Sequence, residues 1–260
     1  DISFLGEWAN YTAKIQRWVA EAADNSAKLL VFPEYFSMEL ASLFSQEIYS
    51  SLNKQLEAMQ EVLPDFLKLF QTQAQQHGLH IVAGSYPVRL HDGSYRNRAY
   101  LFYPDGRNDF QEKLQMTRFE NEHWLIKAGE QIRVFDTDLG RIAINICYDS
   151  EFPLIARKQV EAGADLILAP SCTDTLAGYW RVRIGCQARA LENQCYVAQS
   201  PTVGTAPWSE AVDVNTGAAA IYTPVDRGFP DNGILNIGEL NKTQWVYGDI
   251  DLANIANVRQ

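Results

Sequence analysis

The chain has 260 residues, of which 47% are hydrophobic and 21% are charged, and its formal net charge is −10. This composition is typical of a globular protein with a large core, and it excludes a disordered tail, a coiled coil and a collagen-like rod. The excess of carboxylates argues against binding nucleic acid through a basic face and against docking to anionic membranes. A small-molecule enzyme fits these values best.

The patterns along the chain predict alternating helices and strands. In chain order they predict helix 10–23, strand 29–34, helix 52–76, strands 81–86, 96–103, 109–115 and 141–147, helix 153–162, strand 164–170, helix 179–193, and strands 195–201, 217–223 and 244–250. Pro64 predicts a kink in the second helix or a break into two helices. No linker or repeat interrupts the alternation, which favours one α/β domain over residues 1–260. Because the first convincing element is already a helix, we expect a first strand upstream of Asp1.

The cysteines and histidines suggest no metal site. Cys147, Cys172, Cys186 and Cys195 lie too far apart in sequence for a zinc-binding pair, and the four histidines form no metal motif. A core of this size does not need disulfides, so we expect reduced thiols and a cytoplasmic location. The N-terminal residues lack the basic region and apolar run of a secretory signal, and no run approaches the ~18 apolar residues of a membrane span.

Three reactive side chains lie at or near the carboxyl ends of predicted strands. Glu34 ends LLVFPE, Lys113 lies near the end of DFQEKLQ, and Cys147 ends RIAINIC. Each residue alone is more often structural, as a turn cap, an edge lysine or a small buried side chain. Chemistry in open α/β folds collects at such strand ends, however, and together the three residues form a complete catalytic set.

The set suits nucleophilic attack by a thiol on a carbonyl. A thiol attacks only when it loses its proton, so it needs a base and a nearby positive charge. Glu34 would take the proton and later deliver it to a leaving amine, while Lys113 would stabilise the thiolate and the oxyanion. The backbone N–H of Tyr148 would be a second oxyanion donor.

Three segments resemble the signature of the nitrilase (carbon–nitrogen hydrolase) superfamily, whose members use a Glu–Lys–Cys triad. The segments are LLVFPEYF around Glu34, DFQEKLQMTRFENEHW around Lys113 and GRIAINICYDSEFP around Cys147. The likeness continues through ADLILAPS, ARALENQCYV and GDIDL, and so covers nearly the whole chain. The resemblance implies a four-layer αββα sandwich with two mixed β-sheets between helical layers. It also implies no metal and no organic cofactor, and assembly into a homodimer or a larger homo-oligomer.

The family carries a second glutamate shortly after the lysine, and two positions compete for it here. Glu122 precedes Trp124 by two residues, as the family's second glutamate often precedes a tryptophan, so we expect Glu122 to hold Lys113 and help orient the substrate. Glu120 would then be a solvated loop carboxylate. One departure concerns Glu151, which stands where many relatives have an arginine, so a role of that arginine in binding a substrate anion does not transfer.

The resemblance implies hydrolysis of a small-molecule carbon–nitrogen bond. True nitrilases often have Trp-Glu after the nucleophile, whereas Tyr-Asp follows Cys147 here, which favours the amidase branches. We therefore expect amide hydrolysis through a thioester, with release of ammonia or an amine. An N-carbamoyl amidohydrolase or a nitrilase is the alternative, and a non-catalytic binding module is the alternative from another class. The segments 172–180 and 202–215 are expected to line the substrate pocket, with Cys172, Thr173, Tyr179 and Trp180 as its candidate residues.

Overall fold

Two mixed β-sheets pack against each other between layers of helices. The computed structural model describes residues 1–259. The helices are α1 (Trp8–Asp24), α2 (Gln46–Tyr49), α3 (Leu52–His77), α4 (Pro153–Glu161), α5 (Leu176–Asn193) and α6 (Leu252–Val258). The strands are β1 (Leu29–Val31), β2 (His80–Val82), β3 (Tyr86–Arg89), β4 (Tyr95–Phe102), β5 (Asn108–Glu112), β6 (Ile126–Lys127), β7 (Val134–Thr137), β8 (Gly140–Ile144), β9 (Leu166–Ser171), β10 (Tyr196–Pro201), β11 (Gly204–Thr205), β12 (Val214–Asn215), β13 (Ala220–Tyr222) and β14 (Ile234–Ile237). The layers confirm the expected fold class.

The two sheets bring distant parts of the chain together. The first sheet has the order β1-β2-β4-β3, and β5 and β6 also pair with the long strand β4. The second sheet has the order β14-β13-β10-β9-β8-β7, with β8, β9 and β10 parallel to one another. Parallel strands place their carboxyl ends at one edge of a sheet. The segments that follow β8, β9 and β10 therefore emerge on the same side of the molecule.

Two apolar clusters hold the layers together. One packs α1 and α3 onto the first sheet and contains Ile15, Phe66 and Phe70. The other fills the space between the sheets and beneath α4 and α5, where Leu101 of the first sheet belongs to the same cluster as Ile142 of the second. Among residues 1–259, no helix is long and apolar enough to cross a bilayer.

The long helix α3 runs without interruption through Pro64. A proline inside a helix removes one hydrogen bond, and so the sequence left open a break into two helices. Packing outweighs this loss, because α3 buries Leu56 and Met59 before the proline and Phe66 and Phe70 after it. The expectation of two separate helices is therefore wrong, and the burial of both halves against one surface is the physical reason.

The predicted strand over 244–250 is also wrong. These residues carry no strand in the described structure. They line a cavity of about 440 Å³ that β1 and β10 also border. A strand exists only where a neighbour accepts and donates its backbone hydrogen bonds. Residues 244–250 have no such partner in the described structure, so their sequence pattern is present without the pairing it predicts.

Candidate active site

Glu34 lies at the end of β1, in a turn that both sheets hold in place. The turn bends at Tyr35, whose φ of 54° is in the left-handed region that residues other than glycine seldom adopt. Ser85 accepts a hydrogen bond from the Tyr35 N–H (3.0 Å), and Thr202 donates its hydroxyl to the Glu34 carbonyl (2.6 Å). The Glu34 side chain is buried, and its carboxylate accepts hydrogen bonds from Lys113 and Asn97 (both 2.8 Å).

Lys113 follows β5 and points its ammonium group at two carboxylates. Its Nζ donates to Glu34 Oε1 (2.8 Å) and to both Oε1 (2.8 Å) and Oε2 (2.7 Å) of Glu120. Its backbone N–H donates to the carbonyl of Asn97 on β4 (2.8 Å). The side chain is 1% exposed, and a lysine is buried to this degree only when its charge is paired.

Cys147 lies just beyond β8 in a strained turn. Its φ is 48°, and a short 3₁₀ helix over Cys147–Glu151 begins with it. The Sγ atom lies 3.6 Å from the carbonyl oxygen of Cys172, and the thiol is close enough to Glu34 and Lys113 for their charges to change its pKa. Backbone N–H groups at the start of a helix lack an intrahelical acceptor, so the N–H of Tyr148 is free for a ligand in this geometry.

Helix α5 supports the turn at Cys147 from behind. The Ser150 hydroxyl donates to the Cys147 carbonyl (2.7 Å), and Arg189 donates to the Ser150 carbonyl (3.2 Å). Gly185 is the point of closest approach, because a Cβ atom there would lie 2.8 Å from the Ser150 carbonyl oxygen. A helix with a larger residue at this position would have to move away from the nucleophile turn.

Asp149 ties the Cys147 turn to the Lys113 segment. Its Oδ1 accepts from the N–H groups of Leu114 (3.0 Å) and Gln115 (2.7 Å), and its Oδ2 accepts from the N–H of Ile146 (3.1 Å). Burial raises the pKa of this carboxyl to about 7, although Lys113 and the three N–H donors act in the opposite direction. One side chain thus fixes the spacing between the two segments.

The second glutamate of the cluster is Glu120, and the prediction of Glu122 is wrong. Glu122 has 47% of its side chain exposed and pairs with Arg118 on the surface. Glu120 is buried, and besides Lys113 it accepts from the Tyr35 hydroxyl (2.7 Å) and from the N–H and hydroxyl of Thr117 (both 2.9 Å). Both glutamates belong to a π-helical turn over Phe119–His123, in which residues two positions apart face opposite sides, so that Glu120 turns inward and Glu122 turns outward.

Burial and proximity give the two carboxylates opposite pKa shifts. Burial raises the pKa of Glu34, the Lys113 ammonium opposes this, and the Glu120 carboxylate adds to it, so the pKa lies above its ordinary value. Burial acts the same way on Glu120, but Lys113 and the hydrogen bonds from Thr117 and Tyr35 outweigh it and hold the pKa below its ordinary value. The neighbours of Glu120 thus favour its ionised form, whereas those of Glu34 favour proton uptake, which makes Glu34 the better candidate for proton exchange.

The charges of Lys113 and Cys147 follow from the same neighbours. Burial would lower the pKa of Lys113, but Glu120 and Glu34 hold it well above its ordinary value. Burial and the adjacent Glu34 carboxylate raise the pKa of the Cys147 thiol. The resting site thus contains an ammonium group, an ionised Glu120 and a protonated thiol, and the thiol needs a base before it can attack.

Of the four expected pocket residues, Cys172 contacts the thiol, and the described contacts of the other three lie elsewhere. Cys172 faces the site through its carbonyl, while its Sγ lies 3.1 Å from Asn215 Oδ1, and Thr173 is joined to Thr216 by two hydrogen bonds. Tyr179 is buried on α5. Trp180 is 43% exposed and has the Arg183 guanidinium over its ring, and its assignment to the pocket stays a prediction.

The sequence reasoning missed Asn97, Tyr35 and Asp149. Asn97 donates to Glu34 Oε1 (2.8 Å) and to Glu120 Oε1 (3.4 Å) from the middle of β4. The signal for Asn97 was a polar residue on the strand face whose next two positions, Ala99 and Leu101, are apolar and buried. Among residues 1–259, no group of three or more His, Cys, Asp or Glu side chains could hold a metal ion.

The comparisons with known proteins agree with the fold. Residues 6–260 match a family model described as carbon–nitrogen hydrolase. Probable hydrolase YhcX of Bacillus subtilis (strain 168) is 41% identical over 254 residues, which are 98% of this chain and 48% of that protein. The chain therefore spans about half the length of that relative. The 2-oxoglutaramate amidase of the same organism is 30% identical over 190 residues, which are 72% of this chain and 68% of that protein.

The three-dimensional arrangement is shared with solved structures. A carbon–nitrogen hydrolase from Helicobacter pylori G27 has a TM-score of 0.81 to this chain at 18% sequence identity, with 100% of this chain and 89% of that chain covered. At this identity the likeness concerns the fold alone.

Proposed function

This chain belongs to the carbon–nitrogen hydrolase family, and we propose that it hydrolyses an amide through a thioester formed on Cys147. The observation that carries the proposal is the convergence of Glu34, Lys113 and Cys147, from three strand ends, into one buried cluster. A buried ammonium group between two carboxylates costs desolvation energy that a purely structural site could avoid with apolar residues.

In the acylation half of the reaction, Glu34 takes the proton of the Cys147 thiol as the sulfur attacks the amide carbon. The negative charge that develops on the carbonyl oxygen is stabilised by the Lys113 ammonium and by the N–H of Tyr148. The carbon–nitrogen bond then breaks, and Glu34 delivers its proton to the departing nitrogen. The products of this half are ammonia or an amine and a thioester on Cys147.

In the deacylation half, water attacks the thioester carbon and Glu34 takes a proton from that water. The carbon–sulfur bond breaks, the thiolate recovers the proton from Glu34, and the carboxylic acid leaves. The raised pKa of Glu34 suits both steps, because a base with a pKa nearer neutrality accepts a proton and gives it back with little cost. Glu120 holds Lys113 and stays ionised throughout.

Two other reactions begin with attack by the same thiol. An N-carbamoyl amidohydrolase would release carbon dioxide, ammonia and an amine, and a nitrilase would act on a nitrile and release ammonia. The Tyr148–Asp149 pair after the nucleophile favours the amide reaction, and the name of the 2-oxoglutaramate amidase relative points to the same class. A binding module without catalysis would not need a base beside a buried thiol.

The test is a panel of primary amides, including 2-oxoglutaramate, together with nitriles and N-carbamoyl compounds, scored for ammonia and carbon dioxide release. We expect ammonia release from amides by the wild-type chain and no turnover by Cys147→Ala. The matched control is Cys172→Ala, which removes a neighbouring thiol and leaves the chemistry intact. Full amidase activity in Cys147→Ala would refute the assignment.

We also propose that the chain forms a homodimer or a larger homo-oligomer through α5. Apolar side chains recur along the exposed face of this helix at Leu176, Trp180, Ile184 and Leu191, with Leu154 exposed at the start of α4. Contiguous exposed apolar surface favours association. Sedimentation should give a larger mass for the wild type than for Ile184→Asp.

The four free cysteines support a reducing, cytoplasmic compartment.

A further inference from the structure

Three charged side chains of the buried cluster share one neutral neighbour, Asn97. Glu34 and Glu120 both contact Lys113 Nζ, so the two carboxylates lie close to each other around a single cation. Asn97 Nδ2 donates to Oε1 of each, at 2.8 Å for Glu34 and 3.4 Å for Glu120. The carbonyl of Asn97 accepts the backbone N–H of Lys113 at 2.8 Å. One residue therefore donates to both carboxylates and also pairs with the backbone of the lysine that lies between them.

The orientation of the Asn97 amide follows from its neighbours. Both carboxylate oxygens are acceptors, so the NH₂ end of the amide must face them and the oxygen must face away. The Oδ1 atom is buried and has no hydrogen-bond partner in the described part of the chain. An unpaired buried acceptor lowers stability, so a leucine of similar size would be the better residue if position 97 served packing alone.

The amide also acts on the proton exchange of Glu34. A hydrogen bond from a neutral donor to a carboxylate favours the ionised form, whereas burial and the neighbouring Glu120 favour the protonated form. The titratable groups that face Glu34 are Lys113, Glu120, Cys147, Tyr35 and Cys172. Asn97 differs from these five groups because it donates a hydrogen bond to Glu34 and carries no charge at any pH.

We propose that Asn97 is a positioning residue, which holds the Glu34 carboxylate against Lys113 and keeps it able to accept the Cys147 proton. This inference rests on the proposed amide hydrolysis. Asn97 need not touch the substrate for this role. Its effect passes through Glu34 and therefore changes the pH at which the base becomes active.

The experiment compares Asn97→Leu with the wild type in two measurements across pH. In amide turnover, we expect the acid limb of kcat/KM to move to higher pH by about one unit, because Glu34 loses a donor that favours its ionised form. In alkylation by iodoacetamide, with the modified peptide identified by mass spectrometry, we expect the lower inflection of the Cys147 rate to move the same way. That inflection reports the first proton lost by the coupled Glu34–Cys147 pair.

Asn193→Leu is the matched control. Asn193 is buried on α5, donates to the Arg189 carbonyl and to the Glu192 carboxylate, and has an unpaired Oδ1, as Asn97 does. Its loss should leave both pH profiles unchanged. Wild-type profiles in folded Asn97→Leu protein would overturn the proposal.

Two further outcomes are distinguishable. If Asn97→Leu fails to fold, Asn97→Asp is used instead, because it keeps the shape of the side chain and replaces the donor with a carboxyl group. The acid limb of kcat/KM should then move further to higher pH than in Asn97→Leu. An unchanged acid limb in Asn97→Asp would overturn the proposal. If the wild type hydrolyses no amide, the proposed function fails, whereas the alkylation profiles still decide the role of Asn97.

Discussion

The strand β1 borders two very different interior spaces. Beyond its carboxyl end, Glu34 lies in a small, closely packed cluster of polar side chains, where it accepts hydrogen bonds from Lys113 and Asn97. Its edge faces a cavity of about 440 Å³ that is lined mostly by apolar side chains from β1, β10, β13 and residues 242–252. The larger space holds no grouping of a nucleophile, a base and a cation like the one at Glu34. The comparison teaches that converging reactive groups, rather than the volume of a cavity, locate the chemistry of this fold.

The largest effect is expected when the cation of the cluster is removed. Lys113→Met leaves two buried carboxylates facing each other and takes away the charge that stabilises the oxyanion, so we expect a loss of about 10³-fold in kcat. The free energy of unfolding should fall by about 3–5 kcal/mol, as for other broken buried ion pairs. Initial rates and urea unfolding measure the two effects.

The control is Lys158→Met, because Lys158 forms an exposed ion pair with Glu161 and lies outside the cluster. It should change neither quantity. A Lys113→Met enzyme with kcat within tenfold of the wild type would remove the cation from the mechanism.

The next effect separates the two glutamates that compete for one role. Glu120→Gln removes the charge that pairs with Lys113, and we expect kcat/KM to fall by about 10²-fold. Glu122→Gln changes only a surface ion pair with Arg118, so its kcat/KM should stay within about twofold of the wild-type value. Steady-state kinetics of the two variants side by side provide the measurement. The reverse order of effects would restore Glu122 as the functional residue.

The pH profile should report the raised pKa of Glu34. The base must be ionised to take the thiol proton, so activity is lost as pH falls through a pKa that lies above the ordinary carboxyl value of 4.5. In Glu120→Gln, a negative neighbour of Glu34 is gone, and the acid limb should move to lower pH. A profile of kcat/KM against pH for both proteins checks the sign, and a shift to higher pH would contradict the assignment of the base.

The smallest effect is expected in the cavity. Ala219 lines it, and Ala219→Leu would add apolar volume there. Burial of the added groups should raise the free energy of unfolding by about 1 kcal/mol and Tm by a few degrees, with kcat unchanged. Thermal unfolding and a rate assay test this pair of outcomes. A large loss of activity would show that the cavity and the polar cluster are linked.

The sequence located Glu34, Lys113 and Cys147 because strand ends are readable from apolar runs. Each residue lies where a strand stops, and the sheets then bring the ends together without further information. The same reasoning could not separate Glu120 from Glu122. Residues two positions apart face opposite sides of a helical turn, and nothing in FENEH signals which side faces Lys113.

Other differences have the same origin in long-range contacts. Residues 244–250 have the composition of a strand, but pairing requires a neighbour that local sequence does not describe. Asn97 is a plain strand residue until the fold places two carboxylates against its amide. In each case a residue's neighbours in space, rather than in sequence, decide its role.

The most direct test of the central claim is to trap the acyl group on the nucleophile. The wild-type chain is mixed with an amide that it turns over, quenched in acid within a turnover and digested for mass spectrometry. The account predicts that the peptide containing Cys147 gains the mass of the acyl group, and that the peptide containing Cys172 does not. Turnover without an adduct on Cys147, or with the adduct on another residue, would contradict it.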